Sequence, residues 1–512
     1  MHIENESSNK RILVNTIILY LKMIVATIVT FYSARLLLQA LGASDYGLFN
    51  VVAGLIAMLS FVNGAMSNAV QRYFSFTLGN KDVESLRSIF NSSKDIHYVV
   101  AIIVAILLEI VGPLMIEFVL KIDADKHYVA QVAFQCMVFS YIVQVVATPL
   151  DALITAFERF YIFAAIELFA AILKLLIAML LLFLSNNLII WYSVLFLFVV
   201  IIQNVLKYVY CKVNFNDVVN FKINIRTNLD RELLSFAGWN MIESLAWIGK
   251  NQGIAIVLNL CSGTIINAAY GIANQVNSQI NFFSSTIQKT FRPQIIQSAG
   301  NKDYLRMISL SYLSTKLSFY LMLVLSLPLI VNIGYILKIW LEKVPDYTAE
   351  FCCWTLLATC VVQLSTGLNV MVQAIGNIKK YNLFVSILTL FVIPVSYFFF
   401  QKTSNPVSVL ITCFVFEIFL LLVRFYMAWI VVKFNARDYF FNVILPLSLI
   451  FVISYIPQYY LFCTYWQDSV SGFIMKVIMS FVYTSIVIVL LSNKKERIQM
   501  VRPFKKIFCR YL

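Results

Sequence analysis

Apolar runs separated by short polar stretches fill this chain from one end to the other. Windows of about 20 residues, the length at which an α-helix crosses the hydrocarbon core, predict fourteen spans. They lie near 12–38, 46–70, 96–120, 128–150, 160–184, 188–211, 233–258, 264–288, 308–337, 349–374, 382–400, 406–432, 440–462 and 471–492. An even number places both termini on one side. Residues 12–38 are too long for the apolar region of a signal peptide and contain Lys22, so they read as a retained first span.

One skeleton occurs twice. Tyr46-Gly47-Leu48-Phe49-Asn50 leads to Gly79-Asn80-Lys81-Asp82, and Tyr270-Gly271-Ile272-Ala273-Asn274 leads to Gly300-Asn301-Lys302-Asp303. Each copy holds one long apolar segment and then an arginine, Arg72 or Arg292. Residues 144–161 and 363–381 echo each other more weakly. Six spans separate the copies, so the two halves enter the membrane in the same direction, as parallel repeats do in alternating-access transporters. The expected fold is an all-α polytopic membrane protein of about 14 transmembrane helices, with two parallel-related six-helix lobes and two C-terminal helices. The lobes cover 1–213 and 232–433, joined by a polar, basic cytoplasmic linker at 214–231. Two additional helices occupy 434–492, and a basic cytoplasmic tail occupies 493–512.

Composition agrees with a membrane chain: 61% of the 512 residues are hydrophobic, 12% are charged, and the mean hydropathy is +0.83. A net charge of +14 raises the question of a nucleic-acid partner. The distribution of that charge answers it. With the N-terminus in the cytoplasm, 27 of the 39 lysines and arginines fall in cytoplasmic segments and only Lys121, Lys126, Lys338, Lys343 and Lys402 fall outside. That is the positive-inside asymmetry. The basic tail therefore reads as a topogenic segment facing lipid head groups, and no nucleic acid is expected. The nine cysteines are scattered and the three histidines isolated, so neither disulfides nor a metal or cofactor site is expected. Outer loops of no more than about a dozen residues leave no room for the clustered carboxylates of a glycosyltransferase or polymerase. A non-enzyme is expected.

Ionisable residues inside the spans narrow the picture: Lys22, Glu109, Glu167, Lys174, Glu243, Lys250, Lys316, Glu417, Arg424 and Lys476. Each costs roughly 2.5–3.5 kcal/mol at the bilayer centre if it faces lipid, so they must face protein or water. Glu167 with Lys174, and Glu417 with Arg424, stand seven residues apart on one helical face and can neutralise each other. In span seven, Asn240, Glu243, Trp247, Lys250 and Asn251 form one polar stripe with an aromatic ring in it. Span eight continues with Asn267, Asn274, Ser278, Asn281, Ser285 and Gln288. Interhelical hydrogen bonding accounts for such faces in part, but their length favours a wetted cavity. Span one aligns Asn15, Lys22, Ala26 and Ser33, so each lobe offers a lysine on a polar face. Lysines in low dielectric attract an anionic head group such as pyrophosphate, while asparagines, Ser278 and Trp247 suit sugar hydroxyls and ring faces. Glu243 is either a titrating coupling group or an intrahelical partner of Lys250.

The stretch Arg35-Leu36-Leu37-Leu38-Gln39-Ala40-Leu41-Gly42-Ala43-Ser44-Asp45-Tyr46-Gly47-Leu48-Phe49 resembles the start of bacterial O-antigen and capsule flippases of the multidrug/oligosaccharidyl-lipid/polysaccharide exporter superfamily. There an arginine, a Leu-Gly pair and a Tyr-Gly pair join spans one and two. The resemblance implies translocation of an undecaprenyl-pyrophosphate-linked oligosaccharide to the outer leaflet of the bacterial inner membrane. The pyrophosphate would be held by Lys22 and Lys250, with Lys316 and Lys174 as lesser candidates. Membrane lipids and other polysaccharide-assembly proteins are the further partners implied. Two alternatives stand beside this one. A multidrug and toxin extruder of the same fold commonly carries a carboxylate on span one, whereas residues 12–38 contain none. A non-transporting scaffold of a polysaccharide-assembly complex would leave the polar stripes without a purpose.

Overall fold

All regular structure among the described residues is helical. In this computed structural model those residues are 2–57, 59–80, 82–114, 116–117, 126–219, 228–341, 344–465 and 470–492. Residues 220–227 of the expected linker and the whole basic tail lie outside them. Helix α1 (His2–Ala57) carries span one and the start of span two, and is broken at Gly42, where φ is 76° and ψ is 169°. Glycine reaches that region at no steric cost, so the Leu-Gly pair marks the turn between the spans. The chain continues through α2 (Ser60–Asn80), α3 (Val83–Leu114), α4 (His127–Ala156), α5 (Phe160–Leu181) and α6 (Leu188–Asn214). Helix α7 (Asn228–Gly300) is one 73-residue element where the sequence predicts two spans with a turn between them.

The rest comprises α8 (Tyr304–Trp340), α9 (Thr348–Gln363), α10 (Thr366–Ile375), α11 (Lys379–Thr403) and α12 (Val407–Val432). Helix α13 (Ala436–Tyr439) runs through a π-helical turn, Phe440–Ile444, into α14 (Leu445–Tyr465), and α15 (Val470–Leu491) follows.

Ten helices among the described residues are long and apolar enough to cross a membrane, or eleven if α9 and α10, bent by 41° at their junction, form one broken span. The sequence predicts fourteen. The stretches that fall short are spans two, seven and eight. Span two is divided between α1 and α2. In spans seven and eight the asparagines, Glu243 and Lys250 offset the apolar residues.

Contacts divide the chain into two compact units, Met1–Leu245 with Arg292–Tyr304, and Ala246–Phe291 with Leu305–Leu512. The sequence places its division at 214–231, whereas the units part inside α7, whose two ends belong to the first and whose middle belongs to the second. Each unit has its own core. In the first, α4 packs against α2, α3 and α6 while α1 packs against α5, burying Phe134, Val138, Val145 and Leu181. In the second, α12 packs against α9, α10 and α11, and Ile254, Leu258, Phe351 and Val409 form the core. Bulky apolar side chains such as Ile102, Ile106 and Ile110 on α3, and Ile418 and Leu422 on α12, stay exposed, as a lipid-facing surface requires.

The Gly-Asn-Lys-Asp copies serve as helix stops and starts. At the end of α7, Lys302 takes a left-handed φ of 59°, and the Asp303 N–H returns to the Ser298 carbonyl at 2.9 Å, the bonding of a Schellman cap. Asp82 caps α3 by accepting from the Ser85 N–H at 3.0 Å and the Ser85 hydroxyl at 2.5 Å. Those bonds hold its carboxyl below the usual carboxylate range.

Glycine also sets helix packing in the second unit. A Cβ at Gly367, in the first turn of α10, would collide with the Thr315 hydroxyl and the Ser311 carbonyl of α8, whereas Gly334 on α8 has open space around it. Gly367→Ala should therefore lower the detergent-solubilised unfolding midpoint by several degrees, at a cost of about 1–3 kcal/mol for overpacking, while Gly334→Ala leaves it unchanged or slightly raised. Differential scanning measurements on the two variants check this. Equal midpoints would contradict the close packing of α10 on α8.

Candidate functional site

Burying a charge in a membrane span costs more than most packing can offset, so the intramembrane ions identify where the chain is organised around something other than lipid. In the first unit they converge. Lys22 of α1 lies 2.6 Å from Glu167 of α5, whose other carboxylate oxygen accepts from Gln203 of α6 at 3.4 Å. Lys207 of α6, only 4% exposed, donates to Asp151 of α4 at 2.9 Å. The Phe163 ring carries both ammonium groups, Lys22 at 5.3 Å and Lys207 at 5.8 Å from its centre. Lys174 lies 4.5 Å from the centre of the Phe196 ring and acts electrostatically on Glu167.

The second unit builds a different group. Lys250 of α7 meets Glu417 of α12 at 2.5 Å, and Arg424, two turns further along α12, reaches the other oxygen at 3.2 Å. Glu417 is nearly enclosed, with 5% of its side chain exposed against 14% for each cation. Arg424 also donates to the Ser365 hydroxyl at 3.4 Å, which places it at the break between α9 and α10. That break is held from three further directions. Tyr439 donates to the Leu364 carbonyl at 2.7 Å, Gln288 of α7 to the Thr366 hydroxyl at 2.9 Å, and Gly367 N–H to Thr315 at 3.0 Å.

These contacts redistribute the predicted site residues. The structure brings Lys22 to Glu167, where the sequence pairs Glu167 with Lys174. Lys250 goes to Glu417, not to Glu243, whose charge acts on Arg292. The pairing of Glu417 with Arg424 is as expected. Lys207, counted among the cytoplasmic basic residues, is instead a buried partner of Asp151, and Arg72 and Lys94 are likewise buried. Asn15 belongs elsewhere, since its amide reaches the Glu158 carbonyl at 3.3 Å. Asn240 is buried and donates to Phe236 of its own helix at 3.1 Å.

Along α7 the polar face divides. Asn277 and Asn281 accept from Thr359 and Gln363 of α9 at 2.8 and 3.0 Å, the interhelical bonding that competes with a wetted cavity. Ser278 is exposed and bonds only within its helix, to Gln275 at 3.0 Å. Trp247 is 61% exposed, and Asn251 and Asn274 are half-buried, Asn274 bonding to Tyr270. What the sequence misses are the partners Asp151, Lys207 and Phe163. Asp151 has a readable signal, a carboxylate falling at the end of an apolar window. No group of three or more histidines, cysteines or carboxylates able to hold a metal occurs among the described residues.

No protein-family profile matches the sequence, and no curated protein does. Solved structures do. The chain is similar to a MATE transporter crystallised in complex with MaL6, with a TM-score of 0.70 at 11% identity, covering 83% of this chain and 96% of that one. It is equally similar to a MOP superfamily transporter from Pyrococcus furiosus, whose binding pocket is described as reversed in polarity, suggesting a different function, with a TM-score of 0.70 at 10% identity and coverage of 83% and 96%. The MATE transporter ClbM in complex with Rb+ gives 0.69 at 14% identity, with coverage of 84% and 96%. At these identities the likeness shows the fold, an all-α polytopic membrane architecture shared with MATE and MOP superfamily transporters.

Removing Glu417 leaves Lys250 and Arg424 facing each other without a counter-ion, which typically costs about 3–5 kcal/mol in a buried pair. Glu167 is 30% exposed and its loss is better screened. Glu417→Gln should therefore lower the unfolding midpoint clearly more than Glu167→Gln, as measured by thermal unfolding of the purified protein. The reverse order would show that burial does not govern these pairs.

Proposed function

We propose that this chain is a flippase that carries an undecaprenyl-pyrophosphate-linked oligosaccharide from the inner to the outer leaflet of the bacterial cytoplasmic membrane by alternating access, for O-antigen or capsule biosynthesis, with both termini cytoplasmic. The observation that carries this reading is a surplus of positive charge in each of the two ion groups. In the first unit, three lysines (Lys22, Lys174 and Lys207) stand against two carboxylates (Asp151 and Glu167). In the second, Lys250 and Arg424 share Glu417. A pyrophosphate supplies the missing negative charge and accepts several charge-assisted hydrogen bonds at once. The Lys22 and Glu167 side chains remain 19% and 30% exposed, so that pair is open to exchange with an incoming anion.

The exposed Trp247 and Ser278 and the half-buried Asn251, Asn274 and Asn281 offer a ring face, a hydroxyl and amides to sugars, and the lipid tail stays in the bilayer. Glu243 is the proposed coupling group. Membrane lipids and other polysaccharide-assembly proteins are the further partners, and no nucleic acid is involved.

A second reading, a MATE-type antiporter exporting cations, is favoured by the carboxylates Asp151, Glu167 and Glu417 within the spans and by the names of the similar structures. The two are separated by purified protein in liposomes. Labelled lipid-linked oligosaccharide should reach the opposite leaflet, while a cationic dye under an imposed proton or sodium gradient should not be moved. Dye efflux without lipid movement would replace the flippase reading. In cells, Lys250→Ala should abolish export of lipid-linked sugar at normal abundance, because Glu417 keeps Arg424 as its partner and the fold survives. Glu243→Gln should only weaken export. Wild-type export by a Lys22→Ala, Lys250→Ala double variant would remove these lysines from the site.

A further inference from the structure

Glu109 of α3 is an intramembrane ion that belongs to neither ion group, and its surroundings are the opposite of theirs. A carboxylate in a span is expected to face protein or water, yet Glu109 is exposed. It shares one side of α3, at 3.6 residues per turn, with Ile102 and Ile106, which are 60% and 56% exposed. Lys22, Lys207, Lys250 and Arg424 each meet a carboxylate. Glu109 meets only a neutral amide, accepting from Gln135 of α4 at 2.9 Å. None of the ion pairs among the described residues includes it.

Helix α4 supplies the other half of this face. A Cβ on Gly112 of α3 would collide with the Phe134 ring of α4, so the two helices lie close together and their outer sides form one surface. Gln131, Gln135 and Phe139 follow one another at four-residue spacing along α4. Gln131 is exposed, Gln135 half-buried and Phe139 56% exposed. The result is an apolar face with a carboxylate and two amides set into it. Acyl chains cannot answer those groups, whereas a neighbouring span with polar side chains can.

Charge selects the occupant. Glu117, exposed and two turns beyond Glu109, adds a second negative group, and neither residues 98–117 of α3 nor 128–139 of α4 include a lysine or arginine. A two-fold contact between copies of this chain through the same face would set carboxylate against carboxylate. Glu109 also stands near the middle of the apolar stretch 96–120, about 16 Å of helix rise from its nearer end, too deep for the amines of lipid head groups. We infer that the α3–α4 face around Glu109 is a docking surface for a membrane-spanning helix of another protein that carries a lysine or arginine at mid-membrane depth. This inference does not depend on what the chain transports.

The test uses the full-length protein, donor-labelled and reconstituted in phosphatidylcholine liposomes, with acceptor-labelled leucine-alanine transmembrane peptides as probes. The peptides carry a lysine, a leucine or a glutamate at mid-helix, or a lysine at one end, and association is read by energy transfer. The mid-helix lysine peptide should bind roughly tenfold more tightly than the leucine peptide, while the glutamate and end-lysine peptides should gain nothing. Glu109→Gln should abolish the preference. Glu109→Lys should transfer it to the glutamate peptide, a gain of binding that misfolding cannot produce. Equal binding of the lysine and leucine peptides, or a preference that survives Glu109→Gln, overturns the docking surface and leaves lipid as its cover. Energy transfer between differently labelled copies of the protein that is lost in Glu109→Gln also overturns it, in favour of self-association.

Discussion

Neutralising charge inside a hydrocarbon layer is the constraint on which the rest of this structure depends. A lysine that met lipid at the position of Lys250 would cost roughly 2.5–3.5 kcal/mol, and Glu417, almost wholly enclosed itself, pairs with it instead. The enclosure requires α12 to lie against α9, α10 and α11, and it draws Arg424 to the break of the α9–α10 span. Helix placement, the broken span and the ion group in the second unit are therefore one solution to one electrostatic problem. The first unit solves it with two separate pairs that share the face of Phe163, a softer arrangement because Lys22 and Glu167 keep some exposure.

The broken helices follow from the same absence of water. A carbonyl freed by a helix break in the membrane must find a donor. The break between α9 and α10 frees the Leu364 carbonyl, which takes the Tyr439 hydroxyl at 2.7 Å. Between α1 and α2 the Leu59 carbonyl accepts from the Val62 N–H at 3.0 Å and from the Tyr141 hydroxyl at 2.6 Å. In each unit a tyrosine from a neighbouring helix satisfies the break, and in each an asparagine close by accepts a side-chain hydrogen bond across helices, Asn63 from Thr148 and Asn281 from Gln363. These clamps make the irregular stretches of backbone as determined as the regular ones.

How much of this was legible depended on whether a feature is local. Ten or eleven of the fourteen predicted spans were legible because each is a continuous apolar run. The role of Gly42 followed the same logic, as a single residue whose backbone freedom sets the turn. Ion pairs are not local. Lys22 and Glu167 are 145 residues apart and Lys250 and Glu417 are 167 apart, so the reading at seven-residue spacing found Arg424 for Glu417 and, for Glu167, the electrostatic neighbour Lys174 but not the direct partner Lys22. Asn267, Asn274 and Asn281 of α7 were read on one wetted face, and Asn277 was not read at all, because periodicity reports direction around a helix but not what stands opposite. Opposite Asn277 and Asn281 stand Thr359 and Gln363, which periodicity within α7 could not reveal.

Duplication explains the scaffold but not the charges, and the difference matters for function. The repeat carries the glycines that meet at Gly79 and Gly300. It does not reproduce the ion groups. Lys22 is met by α5, the fifth helix of its half, whereas Lys250 is met by α12, the sixth span of the second half. Backbone contacts were shared because any mismatch between them would be steric and immediate. Ion pairs were free to diverge, since a carboxylate on either neighbouring helix satisfies the same lysine. The two units therefore carry unlike ion groups, two pairs that meet at Phe163 in the first and one carboxylate shared by two cations in the second.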